Sequence, residues 1–314
     1  MAVYDGKLKG TLFVLLAALL WATSGVGGKY LFASGVTPLA LVQARAIIST
    51  LLMGVFLLAR APSLVTVRKN DVPLTALLGV VLGLTQWSYF MAISRIQVAA
   101  AILIQYLAPA IVAVVGLIWL SDKLTLRKTS AIVLALAGCW FVVGGGGLTL
   151  SGIDSLGVSA GLLSAFCFAG YSLVSERMMA KYTPWTTSFY AFFGSAVFLN
   201  LARFDGALTP GVYNAEQWML FIYIGIMGTA VPFTLFIAGI NNIRASRASI
   251  IGTTEPLFAG VFAWLLLGEN MSPAQLLGGA ITIAAIVILQ LDRSGLEGSP
   301  ANIRTALSEP HSGE

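Results

Sequence analysis

Charged residues are scarce in this chain, and this scarcity limits the class of protein to which it can belong. Asp, Glu, Lys and Arg make up 10% of its 314 residues, whereas they make up about a quarter of a soluble domain. Hydrophobic residues account for 58%, and the mean hydropathy is +0.89. A water-soluble globular domain is therefore excluded, and the sequence predicts a protein whose solvent is the lipid bilayer.

Histidine and cysteine, the usual residues of metal sites and hydrolytic centres, are almost absent. The one histidine, His311, lies near the C-terminal end, and the two cysteines, Cys139 and Cys167, lie in apolar runs. The chain has no HExxH or CxxC motif and no paired intramembrane aspartates. The glycine run at 144–147 is not followed by Gly-Lys-Ser/Thr, so no phosphate loop is predicted. These absences argue against an enzyme, and no cofactor or metal is expected.

Ten apolar segments of about 20 residues, the length that crosses a bilayer as a helix, follow one another along the chain. Charged residues and Gly/Pro clusters separate them. The sequence predicts an all-α membrane protein with ten transmembrane spans, at about residues 8–28, 38–59, 73–94, 98–120, 127–145, 156–175, 186–204, 217–240, 247–267 and 273–291.

The basic residues predict the orientation of these spans, because Lys and Arg are enriched in cytoplasmic loops. With the N-terminus inside, 14 of the 18 Lys and Arg residues lie on the inner side, three lie on the outer side, and Arg45 lies within a span. Both termini are therefore expected in the cytoplasm, and the protein is expected in the inner (plasma) membrane. The polar segment 292–314 is predicted to be a disordered tail. Because the basic residues are spread over short loops, nucleic acid is not an expected partner.

One sequence pattern occurs twice, as IQYLAPAIVAVVGLIWLSDKLT at 104–125 and as GTTEPLFAGVFAWLLLGENMS at 252–272. Each copy has a proline early in an apolar run that ends at an acidic residue, and Pro256 lies 147 residues after Pro109. Because proline cannot donate to the carbonyl four residues back, the carbonyls of Gln105 and Gly252 are expected to be free. Paired interruptions in two halves of a membrane chain indicate a transport site, so the two prolines are predicted hinges beside such a site.

The repeat extends over most of the chain and predicts two halves of five spans each, at 1–150 and 151–291. Gly10 matches Gly157, and Ala18 matches Ala165, at the same separation of 147 residues. Since five is an odd number, the second half begins on the opposite side of the membrane from the first. The halves are therefore expected to be inverted copies related by an axis in the membrane plane.

The ten spans, the inverted repeat and the two proline-apolar-acid blocks resemble the EamA-type permeases of the drug/metabolite transporter superfamily. The resemblance covers about residues 8–291, although Asp122 stands where the family usually has glutamate at the end of the fourth span. Within the family, QYLAP at 105–109 and WSYF at 87–90 are most similar to the aromatic amino-acid exporters of the YddG type. The resemblance implies a basket of helices around a central cavity, which the first, third, fourth, sixth, eighth and ninth spans line.

Two charged residues fall well inside predicted spans. A carboxylate such as that of Glu255, near the bilayer centre, costs about 2.5–3.5 kcal/mol on insertion scales, so an interaction must offset it. Glu255 is either a partner for a substrate ammonium or a proton site, or it is a carboxyl group bonded within the bundle without a part in transport. Its counterpart in the first half is Ala108. Arg45 is expected to extend to the outer interface, and the alternative is a carboxylate-binding residue reached from outside.

Aromatic and amide side chains near the middle of several spans are candidates for the cavity wall. Rings can contact the apolar part of a ring-bearing zwitterion, while amides can bond its carboxylate and its ammonium group. Aromatic residues of membrane proteins more often serve packing or lie in interfacial belts. The predicted substrate-binding residues are Trp21, Ser24, Gln86, Tyr89, Gln105, Tyr106, Phe168, Tyr171 and Glu255.

These patterns predict a transporter that exports small amphipathic metabolites, with aromatic amino acids as the first expectation. Transport is expected to follow alternating access, with Pro109 and Pro256 as the compliant points. The expected partners are a small-molecule substrate and the lipid bilayer. An exporter of threonine, homoserine or a drug-like cation is an alternative within the same class. A membrane scaffold or receptor that transports nothing, with a dry and fully packed interior, is the alternative from another class.

Overall fold

The computed structural model describes residues 2–95, 101, 104–108, 111–112, 125–144, 154–201, 207–267 and 273–291, and the regular structure in these ranges is helical. A π-helical turn, Ile226–Ala230, joins α7 to α8, and the expected tail at 292–314 lies outside the described residues. The helices are α1 (Ala2–Ala33), α2 (Pro38–Arg60), α3 (Val72–Arg95), α4 (Leu126–Gly144), α5 (Ser155–Met179), α6 (Pro184–Leu201), α7 (Ala215–Gly225), α8 (Val231–Ile243), α9 (Ala245–Gly252), α10 (Glu255–Leu267) and α11 (Pro273–Leu291).

Five helical segments of the described chain are long and apolar enough to cross a membrane, so the protein is a multi-pass membrane protein. The spans predicted near 127–145, 186–204 and 273–291 coincide with α4, α6 and α11, which are 18 or 19 residues long. Ten membrane-crossing helices are thus not established within the described ranges. The five long segments are Gly6–Ala33, Pro38–Arg60, Lys69–Arg95, Ser155–Met179 and Ala215–Ile243.

Asp154 caps the start of α5 and joins that helix to the end of α3. Its carboxylate accepts the N–H groups of Leu156 and Gly157 at 2.7 and 3.1 Å, as N-terminal helix caps do. The guanidinium of Arg95, the last residue of α3, lies 3.1 Å from the same carboxylate. The backbone N–H groups, and then Arg95, hold the pKa of the Asp154 carboxyl below its usual value.

The helix around Glu255 is interrupted at the place where the sequence predicts an interruption. α9 ends at Gly252, residues 253–254 form a turn, and α10 begins at Glu255, directly before Pro256. The N–H of Thr254 donates to the carbonyl of Ile251 at 3.1 Å, three residues back rather than four. The proline therefore separates two helices, as its missing N–H requires.

The first half of the chain contains the same interruption. Residues 106–107 form a turn, and the N–H of Leu107 donates to the carbonyl of Ile104 at 3.1 Å. Pro109, which follows this turn, lies outside the described residues. The turns at 106–107 and 253–254 are 147 residues apart, which is the separation of the sequence repeat.

Helix contacts in the two halves also correspond. α1 packs on α8, and α3 packs on α5. In the repeat, α1 corresponds to α5, and α3 corresponds to the long helix made of α7 and α8, so these two contacts are equivalent. Small residues permit a close approach of α3 and α6, because a Cβ atom at Gly79 would lie 2.5 Å from the carbonyl carbon of Gly194.

Candidate functional site

A cavity lies among α1, α2, α3, α5 and α8, beside the two helix interruptions. Its volume is about 70 Å³, and since one water molecule requires about 10–15 Å³, it has room for several waters or for a small solute. Eight of the nine predicted substrate-binding residues line it, and Tyr171 does not. The lining residues are Trp21, Ser24, Gly25, Arg45, Thr85, Gln86, Tyr89, Phe90, Gln105, Tyr106, Ala108, Phe168, Phe233, Ser249, Gly252 and Glu255.

Gln86 and Trp21 place unpaired polar groups at the cavity. Gln86 is 4% exposed, and neither its amide oxygen nor its amide nitrogen has a hydrogen-bond partner in the described part of the chain. The indole N–H of Trp21 and the hydroxyl of Ser249 are also buried at the cavity, and neither has a hydrogen-bond partner among the residues that the structure describes. Buried polar groups of this kind are normally hydrogen-bonded. They therefore mark positions where a polar ligand can bind.

Gln105 is held in a hydrogen-bond network of the protein itself. Its Nε2 donates to the hydroxyl of Ser164 at 2.7 Å, and that hydroxyl donates to the carbonyl of Thr85 at 3.1 Å. The network joins the turn at 106–107 to α5 and α3. It fixes the carboxamide of Gln105 at the cavity wall, next to Tyr106, whose ring is also buried there.

Aromatic rings from α1, α5 and α8 form the apolar wall of the cavity. Trp21 meets Phe233 edge to face at a centroid distance of 4.8 Å, and it meets Phe168 at 6.1 Å. Tyr171 stacks against Phe168 at 6.3 Å, is fully buried and is not among the residues that line the cavity. The structure thus brings Phe168 to the cavity and leaves Tyr171 in the core, while Phe233 contributes a ring that the sequence did not single out.

Arg45 lies inside the bundle and is 4% exposed. The expectation that it extends to the outer interface is wrong, because its guanidinium turns inward to the π-helical turn. Nε donates to the hydroxyl of Thr229 and Nη2 donates to the carbonyl of Gly228, both at 2.6 Å. The ring of Phe90 lies 5.2 Å from the guanidinium carbon, within cation–π range.

Glu255 contributes a carboxyl group to the same cavity. It is the first residue of α10, where the positive end of the helix dipole favours a carboxylate. No described hydrogen bond or ion pair joins this carboxyl group to Arg45. A basic and an acidic side chain thus line one cavity, and no contact within the described ranges joins them directly.

Two of the site features could have been found from the sequence. Arg45 is a lone charge within an apolar run, and Pro232 interrupts the helix that carries its two acceptors. Phe233 and Ser249 give no such signal, because they lie in stretches where many neighbours are equally apolar or small. Within the described ranges, no three His, Cys, Asp or Glu side chains are grouped as metal ligands.

Comparison with known proteins agrees with the repeat and with the fold. The model of the EamA-like transporter family matches residues 8–144 and again residues 155–291, so the chain contains two copies of the family's unit. A crystal structure that is 20% identical in sequence superposes with a TM-score of 0.75 over 90% of this chain and 96% of the other. At that identity the similarity indicates the fold alone.

Several curated bacterial proteins are similar in sequence. The uncharacterized transporter YwfM of Bacillus subtilis is 31% identical, over 89% of this chain and 93% of its own length. The uncharacterized inner membrane transporter YicL of Salmonella typhimurium is 28% identical, over 90% and 96%. The threonine/homoserine exporter RhtA of Escherichia coli is 26% identical, over 66% and 67%. The double family match and these relatives, on a fold with paired helix interruptions around a cavity, show that the chain belongs to the EamA-like transporter family.

Proposed function

We propose that this protein exports small amphipathic amino acids and binds them as zwitterions in the central cavity. The observation that carries the proposal is that a basic side chain, Arg45, and an acidic one, Glu255, line one cavity and are joined by no described ion pair. A substrate carboxylate can pair with Arg45, and a substrate ammonium group can pair with Glu255. The unpaired amide of Gln86 and indole N–H of Trp21 supply further hydrogen bonds to the charged groups.

Aromatic amino acids are the first candidate substrates. The rings of Trp21, Phe168 and Phe233 form one wall, and an aromatic side chain can pack on them edge to face or offset. Threonine or homoserine is the second candidate, since the exporter RhtA is a relative.

Alternating access is the mechanism that we propose for transport. The matching turns at 106–107 and 253–254, and the equivalent contacts of α1 with α8 and of α3 with α5, support two halves that can exchange conformations. We propose that the halves are inverted and that Pro109 and Pro256 allow them to rock about the cavity. The excess of Lys and Arg in one set of loops supports cytoplasmic termini in an inner membrane.

Counterflow in proteoliposomes tests the proposal. Vesicles loaded with unlabelled amino acid should accumulate radiolabelled phenylalanine or threonine in a saturable manner, and empty vesicles should not. Glu255→Gln should weaken uptake, because the substrate ammonium group loses its anionic partner. Accumulation of a cationic dye with neither amino acid moving would refute the amino-acid proposal. A scaffold or receptor predicts no flux of any solute, and it predicts that cysteines placed at Gln86 and Tyr106 resist water-soluble labels.

A further inference from the structure

The π-helical turn between α7 and α8 supplies both of the polar acceptors that hold Arg45. The guanidinium Nε donates to the hydroxyl of Thr229, and Nη2 donates to the carbonyl of Gly228. Both residues belong to the turn Ile226–Ala230. At 2.6 Å each, the two bonds fix the plane of the guanidinium and its direction.

Local backbone chemistry explains why these acceptors are available. Pro232 has no N–H, so the carbonyl of Gly228, four residues back, lacks its α-helical donor and can accept from Arg45. The hydroxyl of Thr229 donates to the carbonyl of Ile224 at 2.9 Å, five residues back. Its lone pairs then remain for the Nε–H of Arg45. The acceptors therefore depend on the π-helical turn, a feature that is frequent at functional sites.

The orientation of Arg45 leaves part of its hydrogen-bonding capacity unused. A guanidinium has five N–H donors, and the bonds to the turn occupy Nε and Nη2. No described group accepts from Nη1, and Arg45 lines the cavity. The turn also reaches the cavity wall directly, because a Cβ at Gly228 would lie 2.5 Å from the Cβ of Ser24, a lining residue. A planar guanidinium that the turn holds through Nε and Nη2 can present its remaining N–H groups to a carboxylate in the cavity.

We propose that the π-helical turn positions Arg45 toward the carboxylate of the transported amino acid, so that Thr229 and Pro232 determine the selectivity for a free carboxylate. The inference rests on the proposed function. In this scheme Thr229 and Gly228 are positioning residues, and Arg45 makes the contact with the substrate. If Arg45 served only to satisfy the turn, changes in the turn would alter stability and would leave the selectivity for a carboxylate unchanged.

The test compares each amino acid with its amide, which keeps the ammonium group and loses the negative charge. Inhibition of counterflow by phenylalanine and phenylalaninamide, and by threonine and threoninamide, gives an acid-to-amide preference for the full-length reconstituted protein. Thr229→Val keeps the shape and removes the hydroxyl, so we expect the preference to fall by about tenfold. Thr229→Ser retains the hydroxyl and should retain the preference.

Pro232→Ala tests the positioning of Arg45 through its second acceptor, the carbonyl of Gly228. The new N–H at position 232 competes with Arg45 for the carbonyl of Gly228, so the acid-to-amide preference should fall although the helix gains a hydrogen bond. Thr234→Val is the matched control, because the hydroxyl of Thr234 donates to the carbonyl of Ala230 and no described hydrogen bond joins it to Arg45. It should leave the preference unchanged.

The possible outcomes distinguish a failure of the positioning role of the π-helical turn from a failure of the proposed amino-acid export. If the wild-type protein moves one of the amino acids but Thr229→Val and Pro232→Ala leave the preference within about twofold of wild type, the positioning role is wrong and the proposed function stands. Equal weakening of acid and amide by both variants would also overturn the positioning role alone. If the wild type moves neither amino acid, the proposed function and this inference fail together.

Discussion

Replacement of Gln86 by leucine should have opposite effects on stability and on substrate binding. The amide oxygen and nitrogen of Gln86 are both buried and have no hydrogen-bond partner within the described ranges, and an unsatisfied group of this kind costs about 1–3 kcal/mol. Water in the cavity can relieve part of this cost. We therefore expect Gln86→Leu to stabilise the substrate-free protein by about 1 kcal/mol, which raises the melting temperature by about 2 °C.

Substrate binding should weaken in the same variant. Hydrogen bonds to charged groups contribute about 1.5–3 kcal/mol each, so the loss of both contacts lowers affinity by at least about a hundredfold. Thermal unfolding with and without phenylalanine or threonine measures both effects on one sample.

Gln105→Leu is the control, because it should change the melting temperature of the substrate-free protein in the opposite direction. Gln105 is already bonded to Ser164, so its loss should lower the melting temperature of the substrate-free protein. If Gln86→Leu instead lowers the melting temperature as Gln105→Leu does, and substrate still raises the melting temperature of the variant as it does in wild type, Gln86 is neither unsatisfied nor a substrate-binding residue.

Three further predictions concern packing, a buried ion pair and pH. Gly79→Ala should lower the melting temperature because its Cβ would meet backbone of the neighbouring helix, whereas Gly170→Ala, whose nearest atom is 3.8 Å away, should leave it unchanged or raise it. Glu176→Ala should destabilise by about 3–5 kcal/mol, because it removes the carboxylate 2.8 Å from the buried Arg244, and equal urea stability would contradict this. The lowered pKa of Asp154 means that its cap contributes above the ordinary aspartate pKa and is lost as pH falls through the lower native value. On acidification, the melting temperature of Asp154→Asn should therefore fall by less than that of wild type. Parallel curves of melting temperature against pH would show that the cap is unimportant.

Local chemistry made part of the architecture predictable from the sequence. A proline removes a hydrogen bond wherever its helix lies, so the interruption before Pro256 could be located without knowledge of the fold. The repeat then placed its partner at 106–107. Gln86 and Trp21 were singled out because an amide and a ring lie near the middle of their spans, and both line the cavity.

Features that depend on which helix faces which neighbour could not be predicted. The helix that carries Tyr171 has apolar residues on all sides, so its sequence does not say whether Phe168 or Tyr171 faces the cavity. Arg45 was expected to reach the interface because a long side chain near a span end can do so. It turns inward instead, where Pro232, almost 190 residues later in the chain, leaves the carbonyl of Gly228 without its α-helical donor. That contact exists only after α2 has packed against the π-helical turn.

Recognition of both charges of a zwitterion is the central claim, and competition by singly charged analogues tests it most directly. In counterflow of radiolabelled phenylalanine, unlabelled phenylalanine should compete well, while phenethylamine, without the carboxylate, and 3-phenylpropionate, without the ammonium group, should each compete at least about tenfold less well. If threonine is the solute that moves, 1-amino-2-propanol and 3-hydroxybutyrate take these places. Glu255→Gln should narrow the gap between the amino acid and its carboxylate analogue. Competition by the amine analogue as strong as that by the amino acid would contradict the account and indicate a cation transporter.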